Sequence, residues 1–137
     1  MKINLPSIEE QKRSIFEEST KEAIAQLKKN LKAPYLPPQD EVDEGNYSNN
    51  HLLREDEGWE PPHPDIIGAY FRHFQSHFEE YDTDRKLGYL LGLSSDRRVR
   101  EYKSGSRKMP YGIWRKFLIL TGRAPQDVLP VFAYMGS

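Results

Sequence analysis

Residues 87–114, LGYLLGLSSDRRVREYKSGSRKMPYGIW, read as two short helices joined by a tight turn and followed by a basic loop that leads into a third helix. Leu87, Leu90 and Leu91 give the first helix its inner side, and Gly92 breaks it. A second helix is expected over residues 95–103, capped by Ser94 or Ser95 and stopped at Gly105. Val99 and Tyr102 lie three apart and face inward. At 100° per residue, Arg97, Arg100, Glu101 and Ser104 then face outward, with Arg98 and Lys103 on the flanks. Gly88 is a small residue placed where the two helices would touch. This is the spacing a helix-turn-helix requires, because the first helix must brace the second closely enough to present its N-terminal end to the major groove.

Charge supports the same reading. Between Arg97 and Lys116 eight Lys or Arg residues face one acid, Glu101, a net charge of +7 in a chain whose total is −1. Arginine on an outward helical face can bond guanine O6 and N7 with two parallel hydrogen bonds. Arg97 and Arg100 are therefore the expected base readers, with Arg98 and Lys103 as phosphate contacts. Arg107 and Lys108, in the loop before the helix that Pro110 opens, form an expected clamp for the DNA backbone. Ser94 and Ser95 are expected as caps, phosphate donors or both.

The rest of the chain divides by charge. Residues 1–32 carry seven basic and five acidic residues, residues 33–65 nine acids against Arg54, and residues 66–137 twelve basic against seven acidic residues. Screening confines each patch to roughly 8 Å at physiological salt, so the distribution outweighs the total.

A helix is expected over residues 7–32, with a capping box at Ser7 and Glu10 and a stop at Pro34. Its thin stripe of Ile8, Ile15, Phe16, Ile24, Leu27 and Leu31 would pack on the rest of the domain or on a second copy, the remaining alternative being a solvated, partly frayed arm. Residues 34–64 are expected to form an extended acidic Pro-rich connector, either a solubilising spacer or a strap over the basic face, with Leu52, Leu53 and Trp59 available to pin it. Residues 65–137 form the expected domain. There Ile67, Phe71, Phe74 and Phe78 mark one face of a helix over 65–80, and a further helix is expected over 84–91. Trp114, Phe117 and Leu118 point inward from the helix after Pro110, Pro125 opens a final short turn to 129, and the apolar tail packs on the core or on a partner.

Composition narrows the function classes. Charged residues make up 30 % and hydrophobic residues 36 %, and there is no cysteine. Disulfides and thiol catalysis are thereby excluded, and the composition fits a reducing, cytoplasmic location. No run is long and apolar enough for a membrane span, and residues 1–13 lack the apolar core of a secretory leader. His73 and His77, four apart with Glu80 and His63 nearby, could be read as zinc ligands, but they flank an aromatic stripe where polar residues are expected. The tract 103–108 lacks the spacing of a phosphate loop. No nucleophile–base set stands out, so neither an enzyme nor a bound cofactor, metal or small-molecule substrate is expected.

Residues 65–129, about half the chain, resemble the DNA-binding domain of the lambda-repressor-like (Cro and XRE-type) regulators, as found in phage, plasmid and integrative-element members. The resemblance rests on the pattern LGYLLGLSS…VREYKSGSRKMP…W. It implies an all-α, five-helix fold and a sequence-specific regulator, usually a repressor or autoregulator, that binds double-stranded DNA as a homodimer. Two departures stand out. One extra residue lies between Gly92 and Val99, and Ser95-Asp96 replaces the polar residue that commonly opens the recognition helix. The alternative expectation is a protein-interaction module of a mobile element that keeps the helices without specific DNA binding.

Overall fold

The computed structural model describes residues 7–136, and these are all-helical with no strand. Five α-helices follow in order: α1 (Ile8–Asn30), α2 (Pro64–His77), α3 (Asp84–Leu90), α4 (Arg97–Ser104) and α5 (Tyr111–Leu120). Short 3-10 turns lie at Glu44–Asn46, Asn50–Leu52, Glu55–Glu57 and Glu79–Tyr81. The chain separates into two compact units. One is Pro38–Asp127, and the other holds the described residues on either side of it.

In the flanking unit, α1 starts on the expected capping box. The Ser7 hydroxyl accepts the Glu10 N–H and the Glu10 carboxylate accepts the Ser7 N–H. The helix buries no residue, and Ile8, Ile15, Ile24, Leu27 and Leu31 are all exposed. Its one ring contact is Phe16 stacked on Tyr134 of the tail at 5.0 Å. The tail thus meets α1 through Tyr134, while Val131, Phe132 and Met135 stay exposed.

The core lies in the other unit. Ile66, Ile67, Tyr70, Phe71 and Phe74 of α2 pack with Leu87 and Leu91, with Val99 and Tyr102 of α4, and with Trp114, Phe117 and Leu118 of α5. Each fully buried aliphatic or aromatic side chain contributes about 1.5–3 kcal/mol, so this cluster dominates the stability of the unit. Stacked and edge-on rings run through its centre, from Tyr70 on Trp114 at 5.6 Å to Phe71 on Phe117 at 4.9 Å.

Outside the turn before α4, the structure departs from the sequence reading in three places. Helix α2 ends at His77, and Phe78 continues into a 3-10 turn rather than into the helix. No helix forms after Leu120 among the described residues, so the final short turn expected from Pro125 is absent and the domain holds four α-helices where the resemblance implies five.

The third departure is the largest. Residues 38–63 are not a connector between units but a strap folded onto α2 and α5. His51 is 3 % exposed, and its Nδ1 accepts the indole N–H of Trp114 at 3.2 Å. Trp59 donates to the His51 carbonyl and sets its ring edge-on to Tyr111. Arg72 makes a two-point bond with Glu41, Tyr70 donates to Glu44, and Arg54 bonds Asp127. The strap's acids Glu41 and Glu44 thus meet partners on α2, its Arg54 meets Asp127 after α5, and His51 and Trp59 add contacts to Trp114 and Tyr111. Of the expected pins, Trp59 and Leu53 are partly buried, while Leu52 is exposed and contributes its carbonyl to Arg115.

Candidate nucleic-acid interface

Helices α3 and α4 meet at Gly88. A Cβ added there would lie 3.1 Å from the Ser95 carbonyl oxygen and 3.3 Å from a Val99 methyl, so any side chain would push α4 outward by a few tenths of an ångström. The turn passes through Gly92 at φ 81°, a left-handed conformation that glycine adopts without steric cost. Val99 and Tyr102 are wholly buried, and Lys103 Nζ reaches the Asp84 carboxylate at 2.7 Å, tying the end of α4 to the start of α3. Gly105 stops α4 with φ 83°.

The helix starts two residues later than expected. Asp96, not Ser94 or Ser95, occupies the cap position, with helical backbone angles and no side-chain cap bond. Ser94 and Ser95 are exposed in the turn. The extra residue before Val99 is thus absorbed by a longer turn, and Arg97 becomes the first residue of α4.

The nominated cations fall into two groups. Arg97 and Arg107 share Glu101, with Nε–oxygen distances of 2.7 and 2.6 Å. Arg100 is 3.5 Å from Asp96, and Lys103 is held by Asp84. Arg107 and then Arg97, by hydrogen bonding and charge, keep the Glu101 carboxyl below its usual range. Arg98 and Lys108 are exposed and have no ion pair or hydrogen bond among the described residues. Lys116 on α5 and Arg85 on α3 are in the same condition, and neither was singled out from the sequence. Arg115 is different in kind. It is buried, donates to the Leu52 carbonyl and approaches Asp127 at 3.7 Å, so it belongs to the strap contact.

The histidines have local partners. His63 Nδ1 accepts the Asp65 N–H at the start of α2, and His77 Nδ1 lies 2.9 Å from the His73 carbonyl oxygen. Among the described residues no group of three or more His, Asp or Glu is placed to hold a metal ion. No helix among them is long and apolar enough to cross a membrane.

What the arrangement can do chemically is present arginine side chains, already oriented, on one solvent face of a short braced helix. Comparison with family models, with curated proteins and with solved structures yields no match to this chain.

Proposed function

We propose that the chain is a sequence-specific double-stranded DNA-binding regulator of lambda-repressor-like type, a repressor or autoregulator of a phage, plasmid or integrative element. In this reading α4 enters the major groove and α3 braces it. One observation carries the proposal: the side-chain-free contact at Gly88, which seats α4 across α3 with Val99 and Tyr102 inward and Arg97, Arg98 and Arg100 in solvent. Lys108 and Lys116 extend the cationic surface beyond α4. A homodimer on a palindromic site is part of the reading, and α1 is the segment proposed to join the copies, since Ile24, Leu27 and Leu31 have no apolar cover.

The test is fluorescence anisotropy with random-sequence duplexes across a salt series. Binding should weaken with salt along a log–log slope equivalent to several phosphates. Absence of salt-dependent binding to any duplex would refute it.

A second reading, a protein-interaction module, draws on the acids Glu101, Asp96 and Asp84, which occupy Arg97, Arg107, Arg100 and Lys103 in the free protein. The same titration separates the two.

A further inference from the structure

Glu101 joins two arginines that come from different elements. Its Oε1 accepts from Nε of Arg97 at 2.7 Å, and its Oε2 accepts from Nε of Arg107 at 2.6 Å. Its backbone carbonyl accepts the Arg107 N–H at 3.3 Å and the hydroxyls of Ser104 and Ser106 at 3.1 and 3.4 Å. The loop that carries Arg107 is therefore folded back onto this one residue.

The bonding pattern is selective. Glu41 takes Arg72 through both Nε and Nη2, the two-point geometry of an ordinary carboxylate–guanidinium pair. Glu101 takes only the Nε of each arginine. The Nη nitrogens of Arg97 and Arg107 make no hydrogen bond among the described residues, and the two side chains are 78 % and 46 % exposed. Each arginine is thus held at its stem with the donor ends open. An arginine bound in advance loses less conformational freedom on meeting a ligand.

We infer that Glu101 is a positioning residue for DNA recognition, holding Arg97 toward a guanine edge and Arg107 toward a neighbouring phosphate. This rests on the DNA-binding reading above. It gives the acid two opposed effects. By ordering the two guanidiniums it sharpens discrimination between sequences, and by placing a negative charge beside phosphate it weakens binding to every duplex. An acid acting only as a brake on binding would have the second effect without the first.

The experiment is Glu101→Gln in the full chain, assayed against a pool of randomised duplexes and against the duplex that the wild type enriches from it. The melting temperature should be unchanged. The variant should bind random duplex more tightly, with a salt slope steeper by about one phosphate equivalent. Its preference for the enriched duplex should fall by about tenfold or more, the scale of one lost two-point base contact. In the free protein, the Nε–H protons of Arg97 and Arg107 should exchange slowly in the wild type and rapidly in the variant. If the variant keeps the wild-type preference, the positioning role is overturned while DNA binding stands. If the wild type binds no duplex, the DNA reading fails and this role with it.

Discussion

The indole N–H of Trp114 donates to Nδ1 of His51 at 3.2 Å, across a sequence separation of 63 residues. The bond requires an unprotonated Nδ1. Burial holds the His51 proton affinity below the ordinary value of 6.5, opposed by the nearby Glu44 charge and assisted by Arg123. The folded state therefore keeps His51 neutral, while the unfolded chain takes up a proton as pH falls through about 6.5. Stability from this site is complete above that pH and declines below it. Thermal melts between about pH 8 and 5 should show the decline in the wild type. His51→Gln should flatten it and cost about 1–3 kcal/mol at neutral pH. Identical slopes in the two proteins would exclude His51 as the cause.

Tyr70 and Trp114 lie directly under the strap, both against His51, whereas α1 buries nothing. A chain reduced to residues 38–127 should therefore melt cooperatively at the wild-type temperature. Trimming further to 64–127 uncovers Trp114 and leaves Arg72, Tyr70 and Arg115 without their partners on the strap. Loss of the cooperative transition, with a red shift of tryptophan fluorescence, is the expected result.

Gly88→Val places a branched side chain against the Ser95 carbonyl and Val99. Overpacking at such a contact costs about 1–3 kcal/mol, so chemical denaturation should register a loss of that size. DNA affinity should fall further than stability alone accounts for, because α4 is pushed off its seat on α3.

The Tyr102 hydroxyl is wholly buried and meets no hydrogen-bond partner among the described residues. Tyr102→Phe removes a desolvated polar group from the wall of α4 without changing its shape. The variant should gain about 1 kcal/mol of stability, read as a raised denaturation midpoint at unchanged slope.

Arg97→Ala and Lys108→Ala should separate recognition from attraction. The first should erode discrimination among duplexes by about 1–3 kcal/mol. The second should weaken all duplexes alike and lower the salt slope by about one. Competition titrations at two salt concentrations distinguish them, and neither substitution should move the melting temperature.

Local signals carried the helices well. The Ser7–Glu10 box, the Phe71–Phe74 spacing, the inward pair Val99 and Tyr102, and the glycines at 88, 92 and 105 each act within a few residues, so the sequence displays them directly. The first turn of α4 was misplaced because Ser94 and Ser95 are good caps in isolation. In the fold, the added residue lengthens the turn past them to Asp96. The strap was legible only in part. A strap was one of two readings and Trp59 one of its expected pins, but three 3-10 turns interrupt the expected extended backbone, and the surface it covers depends on Trp114, Tyr70 and Asp127, which no local pattern reveals. His51, between Asn50 and two leucines in an acidic stretch, gives no sequence sign of lying against Trp114. The site shows the same division: the cations were visible as a patch, and their pairing through Glu101 was not.

The strap also has a consequence for the order in which the chain becomes structured. Its contacts reach forward, from His51 to Trp114 and from Arg54 to Asp127, the latter across 73 residues. Loops of this length close slowly compared with the helical turns inside them. During synthesis, residues 38–63 leave the ribosome before the surface they cover has been made. Glu41 and Glu44 find Arg72 and Tyr70 as soon as α2 is made, but His51 and Arg54 have no partner until α5 and Asp127 emerge, so the later half of the strap is fixed in place after the helices it covers.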